Sequence, residues 1–164
     1  MLTNTLERWG AVSKFVHWVF AILVGCQVYL GFWLTEEAAK ARISGDDSLL
    51  LWLEVIHHTT GFMLLFTALF RMAWHTTQIT PDMPAAVAKY QTALAKLTHY
   101  ILYALMLVFP LSGWAASTTI GSEQFPVPIN FFIFEMPGLD FLRDVPRPYN
   151  TFSFYRDIHQ WCWW

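Results

Sequence analysis

Six histidines are the side chains of this chain best suited to do chemistry. Neutral imidazole is a strong ligand for transition metals and titrates near neutral pH, so where the six fall matters more than their number. His17 follows Lys14 by three residues, His57 and His58 follow Glu54 by three and four, and His99 follows Lys96 by three. His159 stands five residues before Trp164, and His75 lies just beyond Arg71 and Trp74. The two cysteines, Cys26 and Cys162, are far apart and lie in apolar or aromatic runs. They form neither a Cys-x-x-Cys redox pair nor a Cys-x-x-Cys-His attachment site, so a cofactor is expected to be held non-covalently. No nucleophile, acid–base pair or metalloprotease motif accompanies the histidines.

The elements that must position these rings are membrane helices. Of the 164 residues 55% are hydrophobic and 18% aromatic, while 13% are charged, about half the share of a soluble protein. The length suits one domain, residues 1–164. A formal charge of −2, with a pI near 6.3 and a mean hydropathy of +0.38, leaves no basic surface for nucleic acid. From Phe15 to Thr35 no residue is charged, long enough to cross a bilayer and too long for a secretory leader, so this run reads as a retained anchor. A second run, Val55 to Phe70, is bounded by Glu54 and Arg71, and a third, Leu97 to Ser122, contains Pro110. The expectation is an all-α integral membrane bundle with helices at about 13–35, 49–74 and 94–119. The third is expected to cross with tilt or a kink at Pro110 and to fray after Gly113.

Residues 120–154, rich in proline and aromatics, read as an outer loop lying at the interface, with one short amphipathic stretch around Ile129 to Phe134. From 155 to 164 the pattern turns apolar again. This reads as the start of a fourth helix, cut short. The charge balance is +1 before the first helix (Arg8, Lys14, Glu7) and −3 from Glu36 to Glu54. It is +2 from Arg71 to Lys96 and −2 from Glu123 onward. Short-loop positives mark the cytoplasmic side, so the N-terminus is expected inside and the tail outside.

With that orientation His17 and His99 lie near the inner rim, and His57, His58 and His159 near the outer one. Two levels of imidazole, roughly 20 Å apart along the membrane normal, suit a bundle carrying two stacked haems, each held by a pair of rings from different helices. Each histidine has a plainer reading as an interfacial residue satisfied by headgroups or water. Gly61, one helical turn after His57, would let a porphyrin approach the backbone or serve helix packing, and Gly25 and Gly31 carry the same pair of readings. Arg71 calls for an anion, a haem propionate or a lipid phosphate, with lipid slightly favoured. His75 reads as a solvated helix-end residue, and the tryptophans near the rims as an aromatic belt.

Taken in order, several stretches resemble the bacterial cytochrome b561 group, which includes the cytochrome subunits of nickel hydrogenases. They are Lys14-Phe-Val-His17-Trp18, Val55-Ile-His57-His58-Thr-Thr-Gly61 with Leu69-Phe-Arg71, Leu97-Thr-His99-Tyr100 running to Phe109-Pro110-Leu-Ser-Gly113, and Asp157-Ile-His159-Gln160-Trp161. The resemblance covers nearly the whole chain. It implies a four-helix membrane protein binding one or two b-type haems and exchanging electrons with quinone or a partner redox protein. It further implies His17 as ligand of an inner haem, and His57, four residues before Gly61, with His159 as ligands of an outer one. Arg71 and His99 would stand near propionates or quinone. The family carries another histidine about four turns beyond the position of His159, as partner of the helix 1 ligand. The sequence is therefore expected to be truncated in its fourth helix, with His17 lacking that partner.

The function expected is a haem b electron carrier of the bacterial inner membrane, multi-pass and working in a respiratory chain, in contact with lipid. Two alternatives stand beside it. One is a haem-free fragment or scaffold that pairs with another helical protein or with a second copy supplying a helix. The other is a quinone-binding or transport module using His99 and Arg71 without haem.

Overall fold

A computed structural model describes residues 1–84, 86–122, 125–126, 128–143, 145–146 and 150–162. Four helices dominate it: α1 (Ala11–Ser44), α2 (Ser48–Thr76), α3 (Lys89–Thr118) and α4 (Thr151–Trp161). The first three are long and apolar enough to cross a membrane. Between α3 and α4 lie two small antiparallel hairpins, β1 (Gly121–Ser122) with β2 (Phe125–Pro126) and β3 (Ile129–Phe131) with β4 (Phe134–Met136), and a turn of 3₁₀ helix at Asp140–Leu142. The helical membrane bundle is therefore as the sequence implies.

The boundaries differ for local reasons. Helix α1 runs to Ser44 instead of stopping near 35, because the charged stretch beyond Thr35 is itself a good helix former. Lys40 reaches Glu36 at 2.8 Å and Glu37 at 2.7 Å, one turn back along the helix. At 34 residues α1 is about 50 Å long, well beyond the hydrocarbon thickness, so its charged last turns stand in water. Gly45 then ends it in the left-handed region (φ 75°), its N–H donating to the Ala41 carbonyl at 2.9 Å. In the tight turn to α2 the Asp46 carboxylate accepts the Ser48 N–H at 3.0 Å, a bond to the charged form that holds its pKa below the ordinary aspartate value.

Helix α3 begins at Lys89, ahead of the expected start, where the Gln91 side chain accepts the Ala88 N–H. Fraying after Gly113 does not occur, and the helix continues through Pro110 to Thr118. Hydroxyls support it there: Ser112 donates to Phe109 O, and Thr118 to Trp114 O, each within 2.9 Å. Helix α4 starts at Thr151 because Asn150 caps it, accepting the Ser153 N–H at 3.1 Å. Trp163 and Trp164, the end of the expected fourth helix, lie outside the described residues. The amphipathic stretch expected around Ile129 to Phe134 is a hairpin, with Ile129 paired to Met136, Asn130 to Glu135 and Phe131 to Phe134.

Helix α2 is the centre of the bundle. It packs against α1 and α3, and α3 carries α4. Leu53, Phe62, Leu64, Leu65 and Ala68 of α2 are buried, and Phe62 and Leu65 form a core with Ile129 of β3, backed by Leu107, Trp114, Phe131 and Met136. The outward faces of α1 and α3 leave large apolar side chains such as Trp18, Ile22, Tyr29, Tyr100 and Leu102 exposed, as lipid contact requires.

Candidate functional site

The outer histidines meet where α2, α3 and α4 converge. The ring of His159 on α4 lies flat against Phe109 of α3, with centroids 4.5 Å apart and planes within 6°. Its Nδ1 is 2.8 Å from the Phe109 carbonyl and 3.3 Å from Ser112 Oγ. A carbonyl can only accept, so a neutral ring carries its proton on Nδ1 and its lone pair on Nε2. A backbone carbonyl on the far nitrogen is the usual way a metal-binding imidazole is oriented. Gly113 makes room for this ring: a methyl group there would come within 2.9 Å of His159 Cε1 and 3.1 Å of Nδ1.

From α2, the His57 ring stands 6.2 Å from the His159 ring, centroid to centroid, at 82° between planes. The adjacent His58 points elsewhere, as neighbours on a helix must, and its Nε2 is 2.9 Å from Ser117 Oγ on α3. The Nδ1 atoms of both rings are buried and have no hydrogen-bond partner among the described residues. Behind His57 lies Gln27 of α1, 4% exposed. Its Nε2 donates to the His57 carbonyl at 3.0 Å, and its Oε1 accepts the Thr60 hydroxyl. The two glycine readings separate here. Gly61 lies under the Gln27 amide, where a methyl group would meet Nε2 at 3.2 Å, while Gly31 of α1 faces His57 Cε1 at 3.6 Å and Gly25 has open space.

Two imidazoles on opposite sides of one metal ion, each about 2 Å from it through nitrogen, place their ring centroids about 6 Å apart. The His57–His159 pair has that separation. Among the described residues no three His, Cys, Asp or Glu side chains cluster to enclose a bare ion. Two imidazoles at this separation could hold a metal that brings further donors of its own, as haem iron does.

The inner histidines are placed differently. His17 is exposed on α1, its ring edge-on to Trp18 at 5.5 Å. Arg71 of α2 lies over the Phe20 ring of α1 at 5.8 Å. His99 is exposed on α3 with Nδ1 2.6 Å from its own helix at Ala95 O, and His75 meets Tyr103 edge-on at 5.7 Å. The structure thus brings His57 and His159 together, puts Gly61 one layer behind them, and sets His17, Arg71 and His99 apart.

The sequence profile of the family described as prokaryotic cytochrome b561 matches residues 8–164. The chain belongs to that family. It is also 28% identical to cytochrome b561 homolog 2 of Escherichia coli (strain K12) over 137 residues, which is 83% of this chain and 67% of that protein. As a prokaryotic cytochrome b561, with three helices able to span a bilayer, it is a multi-pass membrane electron carrier using b-type haem, in contact with lipid. Sequence reasoning gave no site role to five residues that surround these rings: Gln27, Phe109, Ser112, Gly113 and Ser117. Gln27 had a readable cue, since a lone amide inside an uncharged span must find a partner in the protein. The partnership of His159 with Phe109, fifty residues away, has no such local cue.

Proposed function

We propose that His57 and His159 are the side chains that would hold a b-type haem in the outer half of the bundle, and that the chain serves single-electron exchange between a donor and quinone or a partner redox protein of a respiratory chain in the bacterial inner membrane. The observation that carries this reading is the pair of rings from α2 and α4, 6.2 Å apart, with His159 held by the Phe109 carbonyl. When bound, the haem supplies reversible one-electron chemistry. The protein's part is to hold both imidazoles neutral and oriented, and to keep water from them. Phe109 and Ser112 fix His159, and Gln27 ties α1 to the helix turn that carries His57. Apolar burial with little freedom to move limits the reorganisation that each electron transfer requires.

His17 is the candidate ligand for an inner haem on the family resemblance, with Arg71 beside it to pair with a propionate and His99 nearer a quinone. Among the described residues the ring contact of His17 is with Trp18, and no second imidazole faces it. Among the described residues one pair of rings, His57 with His159, stands ready to hold a haem, and a partner for His17 is not among them. With the N-terminus cytoplasmic, the His57 level faces the outer side, in keeping with the basic residues Arg8, Lys14, Arg71, Lys89 and Lys96 at the opposite end.

The test is a dithionite-reduced minus oxidised optical spectrum of the detergent-purified chain with a pyridine haemochrome count. A sharp b-type α-band at about one haem per chain is expected for a single bis-imidazole site. The absence of any Soret band after haem supplementation would overturn the proposal and leave a haem-free scaffold.

A further inference from the structure

The segment between α3 and α4 descends below the outer rim of the bundle. Near this end of the bundle His58 of α2 bonds Ser117 of α3. At Leu139 the chain is level with Thr118, whose hydroxyl accepts the Leu139 N–H at 3.0 Å. By Pro137 it has moved one helical turn inward, where Trp114 Nε1 donates to the Pro137 carbonyl at 3.0 Å. Ile129 then packs with Phe62 and Leu65, and the Phe131 ring meets Phe62 at 6.0 Å and Phe66 at 5.6 Å. All of these α2 partners lie inside its uncharged stretch, Val55 to Phe70. Counted at about 1.5 Å per residue from Val55, these partners run from about 6 Å along α2 at Thr59 to about 16 Å at Phe66, so the hairpin lies alongside the uncharged stretch that the bilayer core is expected to cover.

Its tip is built for that depth. Phe131, Phe132, Ile133 and Phe134 form an unbroken apolar run. Beyond Phe131 the side chains face away from the protein: Phe132 is 56% exposed, Ile133 89% and Phe134 64%. Phe132 is the first of two turn residues and has φ 55°, a conformation for which hairpins in water normally use glycine or asparagine. A bulky aromatic ring is strained there, yet the turn keeps it. The Phe132 N–H, which would otherwise be a bare donor at hydrocarbon depth, donates to the buried Thr59 hydroxyl at 2.9 Å. The polar cross-strand pair, Asn130 with Glu135, is set back from the tip.

We infer that the β3–β4 hairpin is an anchor that inserts Phe132, Ile133 and Phe134 among the lipid acyl chains of the leaflet on the His57–His159 side. The occupant of this exposed face is lipid hydrocarbon. Three things specify it: the depth set by Thr59, Phe62 and Phe66, the lack of charge over the tip, and the satisfaction of the turn's N–H by the protein. The inference is independent of haem binding.

The test is power-saturation electron paramagnetic resonance of the full chain in phosphatidylethanolamine–phosphatidylglycerol vesicles. A nitroxide is placed at Ile133→Cys after Cys26→Ser and Cys162→Ser, with Phe134→Cys as a second site in case one label disturbs the turn. Two reference positions calibrate the readout: Ile22→Cys on the apolar outward face of α1, and Ile43→Cys in its charged last turns, both exposed. Oxygen collisions several-fold above those of a water-soluble nickel chelate, as at position 22, are expected at both hairpin sites. Chelate access equal to that at position 43 would put the tip in water and overturn the inference. Low access to both reagents would mean that a second copy or another protein covers the hairpin, and would overturn it equally.

Discussion

At the His57 end of the bundle, His57, His58 and His159 stand half-buried among three helices, and Nδ1 of His159 is held by a carbonyl of another helix. At the opposite end, His17 and His99 stand exposed, and His99 bonds the Ala95 carbonyl of its own helix. The inner end does not lack polar order. Asn4, buried beside the start of α1, accepts from the Gly10 N–H at 2.9 Å and from the Ser13 hydroxyl at 2.7 Å. It also donates to the Ile79 carbonyl at 3.0 Å, and Trp74 closes the knot by donating to Ser13. Polar side chains at the inner end thus fasten the N-terminal segment to the end of α2, while those at the outer end orient imidazoles. Burial of histidine, more than the number of histidines, separates a cofactor site from a structural clasp.

The sharpest way to break this contrast is to delete one ring at each end. His159→Ala or His57→Ala should remove essentially all of the haem signal from the purified chain. His17→Ala should keep most of it, by haemochrome count. Equal loss from all three would erase the difference between the ends. Next in size is Gly113→Ala. A methyl group 2.9 Å from the His159 ring cannot be accommodated unless the ring leaves Phe109, so haem affinity should fall about 10- to 100-fold, the usual range for disturbing the support of a metal ligand. Titration of the purified apoprotein with haemin would measure it. The inner counterpart is Asn4→Ala, which strands a backbone N–H and a carbonyl and should cost about 2 kcal/mol of thermal stability. Its haem spectrum should be unchanged, which distinguishes the clasp from the site.

What could be read from sequence followed from how local each cause is. The three spans came from uncharged runs, and the depth of each histidine from its distance to the nearest charge. The boundaries went wrong where a second local rule overrode hydropathy. Glu36, Glu37 and Lys40 carried α1 past its apolar run, and Asn150 started α4 earlier than the aromatic pattern did. The Ile129–Phe134 stretch was readable as apolar but not as a hairpin, because its turn residues are Phe132 and Ile133, without the glycine or asparagine that marks such turns. At the site, the choice of His57 over His58 rested on the family resemblance, in which the matching histidine precedes Gly61 by four residues. The role of Gly61 could not be read that way, since what it faces is Gln27 of another helix. Long-range partners such as Ser117 and Phe109 depend on how helices rotate against one another, which no short window of sequence encodes.

A smaller effect sharpens the comparison from within the outer end. Gln27→Leu removes the amide that joins α1 to the His57 carbonyl and to Thr60, but the His57 carbonyl keeps the Thr60 hydroxyl as a donor. The loss should therefore be modest, about 1 kcal/mol in a thermal melt of the apoprotein. Gly61→Ala acts on the same amide by crowding, and because a methyl at 3.2 Å asks only a few tenths of an ångström of a side chain, its effect should be smaller still. If Gly61 instead served close approach of a porphyrin, Gly61→Ala would weaken haem binding even in the Gln27→Leu background. If it serves the amide, the alanine should be silent there. A double-mutant cycle on haem affinity decides between these outcomes, because coupling appears only where the two residues act through one contact.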